Sequence, residues 1–61
     1  MKPGDLVLFE DGNTGIVIKE PVMKKFVGPV VKLLVHGKII SRNPDRFIWN
    51  VNNKIWRWEK F

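Results

Sequence analysis

Val30-Val31-Lys32-Leu33-Leu34-Val35-His36-Gly37-Lys38-Ile39-Ile40-Ser41-Arg42 is the stretch that decides the fold. Its aliphatic and β-branched residues suit a pleated strand. His36-Gly37 interrupts them with a tight turn signal. The reading is a strand over residues 30–35, a reversal, and a second strand over residues 38–42.

The same grammar extends in both directions. Upstream, Pro3-Gly4-Asp5, Glu10-Asp11-Gly12-Asn13 and Gly28-Pro29 are turn clusters. They bound a first strand at residues 6–9 and a second at residues 15–19. Residues 20–29, with Pro21, Met23, Lys24, Lys25 and Phe26, read as a longer loop. Downstream, Asn43-Pro44-Asp45 reads as a capped 3₁₀ turn, because Asn43 can accept a backbone N–H and Pro44 suits a first helical position. A hairpin follows, with strands at residues 47–51 and 54–58 around Asn52-Asn53, expected as a type I′ turn. That register sets Phe47 opposite Trp58, Trp49 opposite Trp56, Asn50 opposite Ile55 and Val51 opposite Lys54. Phe47, Trp49, Val51, Trp56 and Trp58 then share one face. No window keeps a helical i, i+3, i+4, i+7 apolar spacing. Short strands separated by frequent turns predict an all-β single domain over residues 1–61.

A chain of 61 residues buries only about 60% of its unfolded surface, so its core is thin. It has no cysteine and one histidine, so neither a disulfide nor a zinc cluster staples it. Packing must hold it. The apolar runs are too short to span a bilayer as helices. No apolar segment of signal-peptide type follows Lys2. The expectation is a soluble cytoplasmic protein with no membrane partner.

The early pattern is Lys2-Pro3-Gly4-Asp5-Leu6-Val7, Asp11-Gly12, Gly15-Ile16-Val17, then Val31-Lys32-Leu33 before Gly37. It resembles a small SH3-like β-barrel of the KOW-like kind, as in short phage-encoded accessory proteins. The resemblance covers about residues 2–42. Leu8 departs from it, since a charge is frequent there, and so does the Trp-rich hairpin at residues 47–61. It implies five to six short antiparallel strands, and host cytoplasm or virion as the setting. It suggests inward positions at Val7, Phe9, Val17, Val31, Leu33, Val35 and Ile39. Alternation then sends Leu6, Leu8, Ile16, Ile18, Val30, Leu34 and Ile40 to the other face. The hairpin and the loop at residues 20–29 would cover part of that second face, and a partner would meet the rest.

Nothing in the chain reads as catalytic machinery. Ser41 and His36 bracket a short hairpin but lack a cleft and an orienting acid. Asp5, Asp11 and Asp45 sit in turn motifs, where aspartate bonds the local backbone. The glycines have turn spacing and form no phosphate loop. No enzyme activity, cofactor, metal or small-molecule substrate is expected.

Binding remains. Eleven Lys and Arg against six Asp and Glu give a net charge of +5. Such a surface favours a polyanion, although the same charge serves solubility. The candidate contacts are Lys24, Lys25, Lys38, Arg42, Arg46, Trp56, Arg57 and Trp58, with Lys54 and Lys60 nearby. The first reading is non-specific nucleic-acid binding by basic and aromatic side chains. In the bland alternative, the tryptophans only close the core. The second reading is a protein-interaction module: a virion accessory protein, an inhibitor of a host factor, or a homo-oligomer.

Overall fold

The computed structural model describes residues 1–59. Lys60, expected in the basic tail, and Phe61 lie outside the described residues.

Among the described residues six strands form in order: β1 (Leu6–Leu8), β2 (Thr14–Lys24), β3 (Gly28–Val35), β4 (Lys38–Arg42), β5 (Phe47–Asn50) and β6 (Ile55–Trp58). A single 3₁₀ turn, Pro44–Arg46, joins β4 to β5, and no α-helix forms among the described residues. The Asn43 side chain caps it, accepting from the Asp45 N–H at 2.8 Å. His36 and Gly37 both take positive φ, 51° and 75°. Val35 pairs with Lys38 across them. Positive φ at both central residues is the geometry that matches strand twist in a two-residue hairpin.

The sheet runs β4-β3-β2-β1-β6-β5. Neighbours pair antiparallel, except that β1 and β6 are parallel, with Val7 beside Trp56 and Leu8 beside Arg57. This corrects the all-antiparallel expectation. The sheet is also open: β4 and β5 are its edges, so the expected barrel is not closed. It curls nonetheless. Phe47, on the outermost strand β5, is buried in one cluster with Val31 and Leu33 of β3, and the 3₁₀ turn lies against β3.

Five residues form the core: Val7, Val17, Val31, Leu33 and Phe47. Phe9, Val35, Ile40, Trp56 and Trp58 pack around them, half-buried. Burying a side chain of this size contributes about 1.5–3 kcal/mol, so each matters in so thin a core. Gly15 stands opposite Val7 and has no room for a side chain. A Cβ there would meet a Val35 methyl at 2.7 Å and the Leu34 carbonyl oxygen at 3.1 Å.

Three expectations change. First, residues 20–29 are not a loop. β2 and β3 pair out to Lys24↔Gly28, forming a finger whose turn is Lys25–Phe26–Val27 alone. Register shifts between Val17 and Val22 bend β2 and absorb Pro21. Pro29 lies beyond the last β3–β4 pair, an edge position that tolerates proline. Second, Ile39 and Ile40 exchange faces. Ile40 pairs with Leu33 and packs on the core, whereas Ile39 pairs with Leu34 and is exposed. Third, residues 51–54 form a four-residue turn with Lys54 at φ 53°, not a two-residue turn on Asn52-Asn53. Asn50 Oδ1 accepts from the N–H groups of Asn52 and Asn53 at 3.0 and 3.2 Å, which favours that turn locally. The pairs Phe47↔Trp58, Trp49↔Trp56 and Asn50↔Ile55 have the expected register.

The outer face is not covered by the β5–β6 pair, which extends the sheet and puts Phe47 inside. Leu6, Ile16, Leu34 and Ile39 are consecutive cross-strand partners and all four are exposed.

Candidate functional site

β4 decides where the basic residues go. Val31 pairs with Arg42, Leu33 with Ile40 and Val35 with Lys38. Direct partners share a face, so Lys38, Ile40 and Arg42 lie on the core side of the sheet, at its open edge. There they line a shallow cleft of about 350 Å³ with Phe9, Val35 and Asp11. Its floor is aromatic and aliphatic, and its rim carries two cations. Arg42 Nη1 donates to the Ser41 carbonyl at 2.8 Å, which orients the guanidinium.

The acidic rim residue is engaged locally. Asp11 accepts from the Asn13 backbone N–H at 3.0 Å and from Asn13 Nδ2 at 2.8 Å. Asn13 Oδ1 is left to accept, so its 2.9 Å contact with His36 assigns the proton to His36 Nε2. His36 therefore braces the β1–β2 turn and is not aimed at Ser41.

Phe9 connects the cleft to an aromatic cluster. Its ring meets Phe47 edge-on at 5.6 Å and lies 6.3 Å from Trp58. Phe47 and Trp58 are T-shaped at 5.2 Å. The Arg46 guanidinium sits 5.9 Å over the Trp58 ring. Four of the eight candidates, Lys38, Arg42, Arg46 and Trp58, thus cluster around Phe9 and the core.

The other four are dispersed. Trp56 lies at the opposite end of β6, where its Nε1–H donates to Asp5 Oδ2 at 3.1 Å and its ring is 5.3 Å from Trp49. The Lys2 backbone N–H also donates to Asp5 Oδ2, at 2.8 Å. These two bonds, first the Lys2 one, hold the Asp5 carboxyl below its usual pKa. Arg57 pairs with Ile48 on the outer face and forms a 4.0 Å exposed ion pair with Glu59. Lys24 and Lys25 sit at the finger tip.

Of the three tryptophans, Trp56 and Trp58 are half-buried against the core, while Trp49 is exposed. Sequence reasoning omitted Phe9 and Ile40 from the site because it did not place them beside Lys38 and Arg42. The β4 register carries that information, and it is not visible in β4 alone. Among the described residues no group of three His, Asp or Glu gathers to hold a metal ion. No helix among them is long and apolar enough to cross a membrane. Compared with protein-family models, curated proteins and solved structures, the chain matches none.

Proposed function

We propose that this chain is a non-enzymatic binding module that holds nucleic acid non-specifically on the curled face of its sheet. The observation that carries this reading is the Lys38–Ile40–Arg42 row, two cations around an apolar residue, beside Phe9 at an open edge. Two cations spaced along a groove suit successive phosphates, and an apolar floor suits bases or sugars. The net charge of +5 adds long-range attraction. Inward-pointing charge on an edge strand also discourages edge-to-edge pairing, so the row has a bland explanation to beat. The SH3-like resemblance belongs to the same proposal: the curl would be that of a small barrel left open between β4 and β5, with the Trp-rich pair of strands as its added flank.

The test is anisotropy of a fluorescent oligonucleotide over a salt series. Binding should fall linearly in log–log form as salt rises. Lys38→Gln with Arg42→Gln should flatten that slope by about 1.4, two single-strand phosphate contacts. Absence of binding at low salt would sink the reading.

A second reading rests on a different observation. The exposed row Leu6–Ile16–Leu34–Ile39 crosses four strands of the outer face. A contiguous apolar row of this kind marks interaction surfaces. It supports a protein-interaction module, a virion accessory protein or an inhibitor of a host factor. Sedimentation of Ile16→Lys beside the unaltered chain tests self-association through that face.

A further inference from the structure

Among the described residues, the β2–β3 finger carries the most exposed large apolar side chains. Phe26 at its turn is 96% exposed and Met23 77%. Phe26 holds φ at +70°. For a bulky residue that is a strained conformation, sited where glycine would be at ease. Core packing gives no reason for it, since the ring packs on nothing buried. What the turn does give the ring is company: Lys25 Nζ lies 5.3 Å from its centroid. Lys24 precedes it, pairing with Gly28.

We propose that the finger tip is a second contact for single-stranded nucleic acid, with Phe26 stacking a base and Lys24 and Lys25 taking the flanking phosphates. This rests on the nucleic-acid reading of the cleft. Two features favour a single strand over other occupants. An exposed flat ring with the Lys25 ammonium beside it and Lys24 closing the strand before the turn offers a stacking face and charge, which an unpaired nucleotide can use together. The base of the tip also borders one residue of the cleft, at the sheet edge. Val27 shares a hollow of about 170 Å³ with Ser41, Asn43 and Arg42, and Arg42 also lines the cleft. A strand held by Arg42 at the sheet edge would have Val27, and Phe26 next to it, within reach.

The experiment measures binding of a fluorescent oligo-dT and of a duplex of equal length by the unaltered chain and by Phe26→Leu, Phe26→Trp and Lys24→Gln with Lys25→Gln. The tip is solvent-exposed, so folding, checked by circular dichroism, should persist. The expected result is single-strand preference, a loss of about tenfold or more for Phe26→Leu, and retention by Phe26→Trp. The lysine pair should flatten the salt slope on top of the cleft's contribution. Equal binding by Phe26→Leu overturns the tip assignment while leaving the cleft reading intact. No binding by the unaltered chain overturns both. A parallel arm uses vesicles of one-third phosphatidylserine. Vesicle binding that Phe26→Ser abolishes, together with unchanged oligonucleotide affinity in Phe26→Leu, assigns the tip to a bilayer and overturns the proposal.

Discussion

At the residue scale, two side chains make opposite statements about stability. Phe26 occupies left-handed backbone, which costs an L-residue roughly 1–2 kcal/mol. Glycine avoids that cost but loses about 0.5–1 kcal/mol of unfolded-chain entropy. Phe26→Gly should therefore leave stability unchanged or raise it by up to about 1.5 kcal/mol, while oligonucleotide affinity falls. Urea unfolding and anisotropy on the same sample give the two numbers. Equal losses in both would mean that the ring supports the fold. Asp5 runs the other way. Its carboxyl is lowered in the folded state by the Lys2 and Trp56 bonds. A lowered folded pKa contributes stability above the unfolded value, usually near 3.8, and loses it as pH falls through the folded value. Asp5→Asn should flatten the decline in Tm below about pH 4. The Trp56 indole proton resonance should move over the same interval in the unaltered chain, and a resonance that stays fixed would detach Trp56 from the effect.

At the element scale, β4 shows what a short strand hides. Lys38-Ile39-Ile40-Ser41-Arg42 has adjacent isoleucines, so a period of two fits it in either phase. The pairing with β3 selects the phase that puts Ile40 inside. Ile40→Ala should cost about 2 kcal/mol or more, whereas Ile39→Lys should stay within about 0.5 kcal/mol. Chemical unfolding separates them, and the reverse order would reinstate the other phase. Two turns were legible because they act locally: His36-Gly37 and the Asn43 cap need only their own neighbours, whereas the turn expected on Asn52-Asn53 proved four residues long. The β5–β6 pairs were legible because a short turn fixes them. The finger was not, since Pro21, Lys24 and Lys25 read as loop residues while their pairing depends on a bend in β2. The parallel β1–β6 contact was not either, because no local pattern records it. The cleft followed β4: its cations were visible as types, but their neighbours Phe9 and Ile40 became visible only with the register. Gly15 is a further check on this region. Gly15→Ala pushes a Cβ into Val35 and the Leu34 carbonyl and should cost about 1–3 kcal/mol by thermal unfolding.

At the scale of the whole molecule, Phe47 ties the outermost strand into the core. Total stability for 61 residues is on the order of 3–9 kcal/mol. Phe47→Ala removes the one buried side chain of β5 and should cost about 3–5 kcal/mol, enough to unfold much of the population. Circular dichroism at 25 °C would register it directly. The two faces have different characters: the curled side gathers cations around aromatic rings, and the outer side carries an uncharged apolar row. Under the two readings proposed above, that division would leave one face for nucleic acid and the other for a protein. β1 is what joins the sheet. Three residues long, it is the strand that hydrogen-bonds to both β2 and β6, between the β2–β3–β4 half and the β5–β6 half. The bridge also spans time. Asp5 and Trp56, tied by a hydrogen bond, are 51 positions apart, and β6 follows every other strand. As the chain emerges during synthesis, β1 must keep one edge unclaimed until β6 arrives, so the first strand made is among the last to be completed.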